Sequence, residues 1–538
     1  MIELNDFSLL SPSGEYKYFT LSEDAENDLS FDYLISNLSK DTKLQTAIRK
    51  ILCQIPCDRK VIEYRQQIYS DLKNSEAIYS EIMDIFNQLE MEVLDRNTRY
   101  INDKSSIWEL YSRLKELESY SDSIIKLHKC LANSEFKSEG IKKLKQYIDG
   151  IYADSGFNEL SEDIKKLGYD FTTIKSITLG INLDKDLRPF EAGIVSVNPN
   201  YFSKQTIVEQ FLNKHRSKNP NAKDLNGMTY QTHPDSISEI NPLMNNLTNI
   251  VEKMLGSIVK DMKRVLKKYT DIGGFGLLKF ADEINFYISF AKLEKRLREI
   301  NLPCCISDIS QKDTMFKDFY NVKLAICRLN NEVEQDIVCN DVYYDKEKSV
   351  LILTGPNRGG KTIFTQGIGL AFVLFQSGVF VPCSSGELVL CDGIYTHFPV
   401  DENKTVSLGR FGEEADRLSK ICSSITGDSL LLFNESFATT SHAESLFIAQ
   451  DVLKYLCHIG ARVCFNTHIF ELAENIDEIN NSADAKTKAD SIVMGIENGE
   501  RLYKISFEKP QCKSYAEDIA KKYGITYKQL CEHNNLQR

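Results

Sequence analysis

Apolar residues in the first half of the chain recur mostly at helical spacing. Between residues 44 and 166 they fall three and four positions apart, for example at Val61, Tyr64 and Ile68. The same spacing resumes at residue 247 and continues, with interruptions, to about residue 298. A stripe with this period forms one face of an amphipathic helix, so both stretches predict long helices in one helical domain.

The stretch between these helical regions has a different pattern. Residues 171–200 are rich in β-branched residues and contain a turn-like interruption at residues 184–189, which predicts a pair of strands. Residues 213–242 are polar and hold prolines and an Asn-Gly pair, which predicts loops. We therefore predict a helical domain over residues 1–300, with a small β-containing domain inserted at about residues 168–242.

Beyond residue 301, short strands alternate with helices. This alternation is typical of an α/β domain with a mainly parallel sheet, predicted here over residues 301–508. Two capping boxes in residues 509–538, with Gly524 between them, predict a small helix-turn-helix tail. The strand-like runs of the predicted α/β domain are residues 350–354, 430–433, 462–466 and 491–496.

Composition limits the possible environments and partners. The net charge of −12 provides no overall positive field, so any contact with nucleic acid must come from local basic patches. Several of the 14 cysteines stand in apolar runs, and the N-terminus has no signal-peptide pattern, which predicts a reducing, cytoplasmic location. The uncharged run at residues 362–386 contains glutamines and a proline, so it predicts a buried helix and no membrane span.

A phosphate-binding motif directly follows the first of these strands, in the sequence VLILTGPNRGGKT. Its glycines let backbone N–H groups curl around phosphate oxygens, and the helix that follows presents its positive dipole end. Lys361 would neutralise the β- and γ-phosphates of ATP, and the Thr362 hydroxyl would bind Mg²⁺. The predicted nucleotide-binding residues are Gly355, Pro356, Asn357, Arg358, Gly359, Gly360, Lys361 and Thr362.

An acidic residue is expected at the end of a partner strand, and the run SLLLFNES supplies one at Glu435. This carboxylate would orient and deprotonate the attacking water. Most P-loop proteins have an aspartate at the preceding position, where it holds the magnesium shell. Asn434 occupies that position here and contributes no charge, which predicts weaker Mg²⁺ binding with hydrolysis retained.

A third strand-like run, ARVCFNTH, ends in His468. A side chain at the carboxyl end of a parallel strand lies on the edge where ligands bind. We therefore predict that His468 senses the γ-phosphate or positions the water, although an isolated histidine is more often structural.

Several segments resemble the MutS family of DNA mismatch-repair ATPases. TGPNRGGKT is similar to that family's TGPNMGGKS, GVFVPC at residues 378–383 to its GSYVPA, and NTHIFELAE at residues 466–474 to its ATHYFEL. The tail KSYAEDIAKKYGI at residues 513–525 resembles SYGIEVAKLAG, and Tyr64-Arg65-Gln66 resembles a core-helix motif. The matching segments of the final third occur in family order.

The resemblance implies an ABC-like ATPase that uses ATP and Mg²⁺ and works as a homodimer through the ATPase domain and the tail. Each nucleotide would contact a segment donated by the other subunit, matched here by Ser407-Leu408-Gly409-Arg410-Phe411. The loop after Glu435 lacks the family's Gly-Arg-Gly-Thr-Ser, which together with Asn434 indicates a divergent branch. The order of helical and β-containing regions resembles the family's lever and clamp. No N-terminal mismatch-recognition domain is expected.

The resemblance also implies contact with double-stranded or branched DNA, through the backbone and without sequence readout. A run of basic residues is otherwise most often a solvated surface. The predicted DNA-binding residues are Lys214, Arg216 and Lys218 in the inserted region and Lys263, Arg264 and Lys267 in the resumed helix.

Two other functions fit parts of the sequence. A nucleotide-controlled protein scaffold with little hydrolysis would explain Asn434 and the altered loop. A break-repair ATPase with coiled-coil arms would share the phosphate loop. Such arms need sustained heptads, and the helical stretches here are too short and too interrupted for them.

Overall fold

The structure is a computed structural model of the chain. It describes residues 8–94, 105–132, 135–172, 176–198, 200, 256–272, 274–399, 409–437, 440–481, 484–497, 500–510, 521 and 523–533. The chain divides into two compact units, one of residues 81–134 and 145–278, the other of residues 2–80, 135–144 and 279–538. The sequence predicts domain borders at residues 300 and 508 from changes in the residue pattern, and these two borders stay predictions.

The elements are given in chain order. The helices are α1 (Glu23–Asp28), α2 (Phe31–Leu38), α3 (Thr42–Cys53), α4 (Arg59–Lys73), α5 (Glu76–Leu94), α6 (Ile107–Ala132), α7 (Glu139–Tyr152), α8 (Ser155–Thr172), α9 (Gly256–Lys267), α10 (Phe275–Glu299), α11 (Val322–Leu329), α12 (Lys361–Gln376), α13 (Gly409–Ser424), α14 (His442–Ile459), α15 (Phe470–Glu474), α16 (Ile476–Asn480) and α17 (Tyr527–His533). The strands are β1 (Tyr18–Thr20), β2 (Gln54–Pro56), β3 (Ser176–Leu183), β4 (Pro189–Asn198), β5 (Asp308–Ser310), β6 (Thr314–Phe319), β7 (Asn340–Tyr344), β8 (Val350–Thr354), β9 (Ser385–Val389), β10 (Ile394–His397), β11 (Leu430–Asn434), β12 (Arg462–Asn466), β13 (Ala489–Glu497) and β14 (Glu500–Ser506).

The first unit is helical and carries one β-hairpin. Helix α6 packs against α8 and α9. The buried Arg113 of α6 donates to the Glu116 carboxylate at 2.7 Å and to the Tyr269 carbonyl oxygen at 2.7 Å, so its charge is matched inside the unit. Strands β3 and β4 pair antiparallel from Ser176↔Asn198 onward, which confirms the predicted strand pair. The predicted loops at residues 213–242 lie outside the described residues.

The second unit is built on a six-stranded sheet with the order β10-β11-β12-β8-β13-β14. All neighbours are parallel except β13 and β14. Every residue of β8, β11 and β12 is buried, as expected for parallel strands that are covered on both faces. This confirms the predicted α/β alternation with a mainly parallel sheet.

Each face of this sheet has its own covering layer. Nearly all of α12 is buried on one face, and an apolar cluster with α14 and α16 fills the other. The N-terminal residues, for which the sequence predicted no individual helix or strand, also belong to this unit. The Gln366 amide donates to the Asp28 carbonyl oxygen at 2.7 Å, and the Gln376 amide donates to the Pro56 carbonyl oxygen at 2.9 Å. These buried glutamines fix α12 to α1 and to β2.

A second sheet in this unit was not predicted. Its order is β5-β9-β6-β7, with β5 and β9 parallel and the other neighbours antiparallel. Burial alternates along β7 and most of β6, so only one face of the sheet meets the core. Among the described residues, no helix combines the length and the hydropathy that a membrane span needs.

Candidate active site

Three neighbouring parallel strands end at the same edge of the six-stranded sheet. β8 leads into the loop Gly355–Gly360, β11 ends at Asn434, and β12 ends at Asn466. β12 lies between the other two, and Asn434 is paired in register with Asn466. The structure therefore brings together the predicted phosphate loop, Glu435 and His468, which lie far apart in the sequence.

The phosphate loop needs glycine at two positions. Gly355 has φ +142°, and a Cβ there would lie 2.8 Å from the Met494 Cβ. Gly360 has φ +93° and is the N-cap residue of α12. L-residues avoid both conformations, and the N-terminus of a helix presents free N–H groups and a positive dipole end. The local geometry is therefore that of an anion-binding loop.

Lys361 begins the helix and is almost fully buried, with 4% of its surface exposed. Its Nζ donates to the carbonyl oxygens of Gly355 and Pro356, each at 3.2 Å. Burial lowers the pKa of Lys361 to about 8, and the nearby Glu435 carboxylate opposes this shift. The two hydrogen bonds thus hold the ammonium group in the loop, while burial disfavours its charged form.

Thr362, Asn434 and Asn466 form a small hydrogen-bonded group. The Thr362 hydroxyl donates to the Asn434 Oδ1 at 2.8 Å, and the Asn466 Nδ2 donates to the same oxygen at 2.5 Å. Asn434 and Asn466 are both buried. The asparagine that replaces the usual aspartate is therefore held by a second asparagine, and sequence reasoning had assigned no role to Asn466.

Glu435 follows β11 in a left-handed backbone conformation, with φ +52°. Its N–H donates to the Asn466 carbonyl oxygen at 2.9 Å, and its Oε1 lies 2.8 Å from the His468 Nε2. The hydrogen bond from His468 is the main cause that lowers the pKa of Glu435, with a further contribution from the charge of Lys361. Glu435 is therefore an ionised carboxylate at neutral pH, in contact with a histidine.

The loop after Glu435 is tied to α13 by residues that sequence reasoning missed. The buried His397 ends β10 and places its Nδ1 2.6 Å from the Ser436 Oγ, while its Nε2 lies 3.1 Å from the Glu414 carbonyl oxygen. Burial lowers the pKa of His397. The Phe437 N–H donates to the Glu414 carboxylate at 2.5 Å. Helix α13 therefore contacts the loop that carries Glu435.

A pocket beside the phosphate loop was also missed. Gly360 forms part of its wall, and a Cβ on this glycine would lie 3.2 Å from the Tyr503 ring. Asn321 contributes an amide that donates to the Ile363 carbonyl oxygen at 2.7 Å. Flat apolar surfaces with a few polar groups suit a planar heterocycle. The other lining residues are Phe319, Tyr320, Leu324, Val333, Gln335, Asp336, Ile337, Val338, Asn340, Ile363, Phe364 and Met494.

Arg65 of the Tyr-Arg-Gln motif and Gly378 of the GVFVPC motif, which are distant in sequence, lie against each other just after α12. Gly378 has φ +78°, and a Cβ there would lie 2.2 Å from the Arg65 Cβ. The buried Arg65 donates to the Leu10 carbonyl oxygen at 2.8 Å, and the Gln66 amide donates to the Ser307 carbonyl oxygen at 2.9 Å. The Arg-Gln pair and the GVFVPC segment therefore serve one packing contact.

The predicted contacts with DNA and with a second subunit are only partly described. Lys263, Arg264 and Lys267 lie on α9, and Arg264 pairs with Asp261 at 2.9 Å. Of the predicted trans segment, Gly409 and Arg410 begin α13, and Phe411 is exposed. The predicted residues outside the described part of the chain are Lys214, Arg216, Lys218, Ser407 and Leu408.

Comparison with known proteins agrees with these features. The family model for MutS domain V matches residues 351–534, and the model for the MutS2 N-terminal domain matches residues 57–300. A DNA mismatch repair protein MutS of Chlorobium chlorochromatii is 37% identical over 142 residues, which cover 26% of this chain and 16% of that protein. One from Clostridium botulinum (strain Hall) is 23% identical over 480 residues, or 86% of this chain and 44% of that protein. The chain thus spans less than half the length of the curated relatives it matches.

Proposed function

The chain belongs to the MutS family, and we propose that it is an ATP-dependent DNA-binding protein that hydrolyses ATP slowly. One observation carries the proposal: Lys361, Thr362, Glu435 and His468 converge at the carboxyl edge of three adjacent parallel strands. A cation, a hydroxyl, a carboxylate and a histidine next to an anion-binding loop are the groups that nucleotide hydrolysis needs.

ATP binds with its phosphates in the loop Gly355–Gly360 and its base in the adjoining pocket. The N-terminus of α12 and Lys361 supply the positive field for the phosphates. Glu435 orients and polarises the attacking water, and His468 holds the Glu435 carboxylate in place. The hydrogen bond from His468 lowers the pKa of Glu435, so the carboxylate is ionised and can accept a hydrogen bond from the attacking water.

Mg²⁺ fits the site only in part. The Thr362 hydroxyl uses its one hydrogen on Asn434, so its oxygen lone pairs stay free for a metal ligand. The Asn434 oxygen already accepts two hydrogen bonds and carries no charge. Thr362 and the phosphate oxygens would hold the ion, which would supply charge stabilisation to the transferring phosphoryl group. We therefore propose weak Mg²⁺ binding.

We expect Asn434→Asp to lower the Mg²⁺ concentration for half-maximal ATP hydrolysis by about tenfold, because it adds a negative charge beside the metal. An aspartate accepts hydrogen bonds from Thr362 and Asn466 as the asparagine does, so the fold tolerates the change. Mg²⁺ titrations of ATPase activity measure the effect. Asn466→Ala is the matched control, since it removes one hydrogen bond without adding charge. An unchanged Mg²⁺ requirement in Asn434→Asp would show that position 434 does not act on the metal.

We further propose that the chain forms a homodimer that closes on double-stranded or branched DNA when ATP binds. Contacts from the Glu435 loop and His397 to α13 support a link between the nucleotide and the dimer face, because the last three residues of the predicted trans segment are the first three of α13. The tail contributes exposed apolar side chains, with Tyr523 71% and Tyr527 82% exposed. Exposed apolar surface of this kind suits a subunit contact.

The DNA contact is tested with Lys263→Glu/Arg264→Glu/Lys267→Glu. We expect the variant to bind duplex and four-way-junction DNA about tenfold more weakly in about 0.1 M salt, with a salt dependence shallower by up to about three counterions. Fluorescence anisotropy at several salt concentrations gives both values. Lys60→Glu/Lys312→Glu/Lys346→Glu changes the net charge equally at exposed positions elsewhere. Equal weakening in both variants would assign the effect to net charge instead of to α9.

The second candidate function is a nucleotide-controlled protein scaffold with little hydrolysis. The uncharged pair of Asn434 and Asn466 favours it, since no carboxylate contacts Thr362 among the described residues. ATPase measurements with homoduplex, mismatched and four-way-junction DNA separate the two functions. Turnover that changes with one DNA form supports the DNA-binding ATPase, whereas background turnover that no DNA alters supports the scaffold.

A further inference from the structure

Two free cysteines meet where the segment after α10 crosses the segment after α12. The Cys305 N–H donates to the Val381 carbonyl oxygen at 3.1 Å, and the Val381 N–H donates to the Cys305 carbonyl oxygen at 2.8 Å. This backbone pair brings the Sγ atoms of Cys305 and Cys383 to 3.4 Å, although the residues are 78 positions apart. Both segments are therefore fixed in place before any bond forms between the sulfur atoms.

The two thiols have different environments. Cys383 is fully buried, whereas Cys305 is partly exposed, so a small reagent reaches Cys305 first. Cys305 also lies 3.3 Å from the Ser307 hydroxyl. Hydrogen bonds from Cys383 and Ser307 lower the pKa of Cys305 to about 7, while the pKa of Cys383 is raised. An accessible thiol with thiolate character beside a buried partner thiol is the arrangement of an attacking and a resolving cysteine.

We propose that Cys305 and Cys383 are a hydroperoxide-sensitive pair that forms an intramolecular disulfide. The Cys305 thiolate attacks hydrogen peroxide, which breaks the O–O bond, oxidises the sulfur to a sulfenic acid and releases hydroxide. The Cys383 thiol then attacks that sulfur, the S–S bond forms, and water leaves with the Cys383 proton. A dithiol reductant reverses the reaction by thiol–disulfide exchange.

A disulfide between Cys305 and Cys383 would constrain the part of the chain that carries the phosphate loop. It closes a covalent loop that contains β8, the phosphate loop and α12. The Tyr320 N–H donates to the Pro382 carbonyl oxygen at 3.1 Å, and Tyr320 lines the pocket beside the phosphate loop. The disulfide would therefore fasten the segment after α10 to the exit of the helix that begins at Lys361. This inference does not depend on the proposed function.

The test treats the folded full-length protein with hydrogen peroxide, blocks the remaining thiols, and maps tryptic peptides by mass spectrometry without reduction. Residues 299–312 and 362–404 form the two relevant peptides, and each holds two cysteines. A Cys304→Ser/Cys391→Ser background leaves one cysteine in each. We expect these peptides to be linked through Cys305 and Cys383, in this background and in the wild type, and separated by dithiothreitol.

Cys383→Ser provides the matched variant. With no resolving thiol, we expect no linked peptide, and Cys305 should be trapped as a sulfenic acid by dimedone. We also expect Cys305 to react with iodoacetamide at pH 7 at least about tenfold faster than the buried Cys304. Two results would overturn the proposal: peroxide-treated wild type without the linked peptide, or a link that forms equally well in urea-unfolded protein.

Discussion

Replacing Glu435 by glutamine is expected to lower steady-state ATP turnover by about 10²–10³-fold while ATP affinity changes little. The carboxylate is the only charged acid beside Lys361 at the edge formed by β8, β12 and β11 among the described residues. A glutamine keeps the size and can still accept the hydrogen bond from His468, but it cannot take a proton from water. Single-turnover hydrolysis and equilibrium binding of ATP separate the two effects.

His468→Gln is the matched variant for this measurement. Its amide can donate to the Glu435 Oε1 in place of the imidazole Nε2, so the orientation of the carboxylate is partly kept. We expect a loss of only about tenfold in turnover, because a positioning contact is weakened and the carboxylate stays. If Glu435→Gln and wild type hydrolyse ATP at the same low rate, the scaffold function becomes the better account of the chain.

The parts of the site that were predicted from sequence have local signals. Strand β8 was predicted with its observed bounds because an apolar run stops at a glycine-rich loop. Glu435 and His468 were found because polar residues follow the buried strands β11 and β12. Polar side chains at such positions lie on the ligand-binding edge of a parallel sheet, whatever the strand order is. The roles of these residues in catalysis stay predictions.

The parts that were missed depend on pairing between distant segments. Asn466 stands in an apolar strand and gives no sign of its contact until Asn434 lies in register beside it. His397 ends a short strand whose neighbour, β11, begins 33 residues after it. Strand β6 of the four-stranded sheet left no clear signal, since apolar and polar residues do not alternate in TMFKDF: Thr314 is buried and Met315 is exposed. Six residues are too few to distinguish such a strand from a loop without knowledge of its partners.

The N-terminal residues also could not be predicted from their own sequence, because their packing partner is distant in the chain. Their weak patterns predicted no individual helix or strand in residues 1–45 beyond the assignment to a helical domain, yet Leu9, Leu29 and Phe31 are fully buried. The reason lies in α12, where Gly369 leaves room for Leu29: a Cβ there would lie 2.6 Å from the Leu29 Cδ2. A glycine in a helix predicts close packing, but it does not name the segment that packs against it. Only the structure identifies the N-terminal helices as that segment.

ATP affinity is expected to fall as the pH rises above about 8, and Lys361 is the reason. In the free protein, burial lowers the pKa of this ammonium group to about 8, so Lys361 is charged below that pH and neutral above it. Bound phosphates favour the charged form and raise the pKa. Above pH 8, binding must therefore take up a proton, and the apparent Kd should rise by up to about tenfold per pH unit. Below pH 7 Lys361 no longer makes the apparent Kd for ATP depend on pH, because its ammonium group already carries the proton.

Isothermal titration calorimetry at pH 7 and pH 9, in two buffers with different ionisation enthalpies, measures both the affinity and the proton uptake. We expect little uptake at pH 7 and roughly one proton at pH 9 for the wild type. Lys361→Met should bind ATP about 100-fold more weakly at pH 7, because the phosphates lose a buried charged partner, and should take up no proton at pH 9. The same Kd for wild type at pH 7 and pH 9 would mean that Lys361 does not face the phosphates. The carbonyl oxygens of Gly355 and Pro356, which hold Nζ in the free protein, would then be its permanent partners.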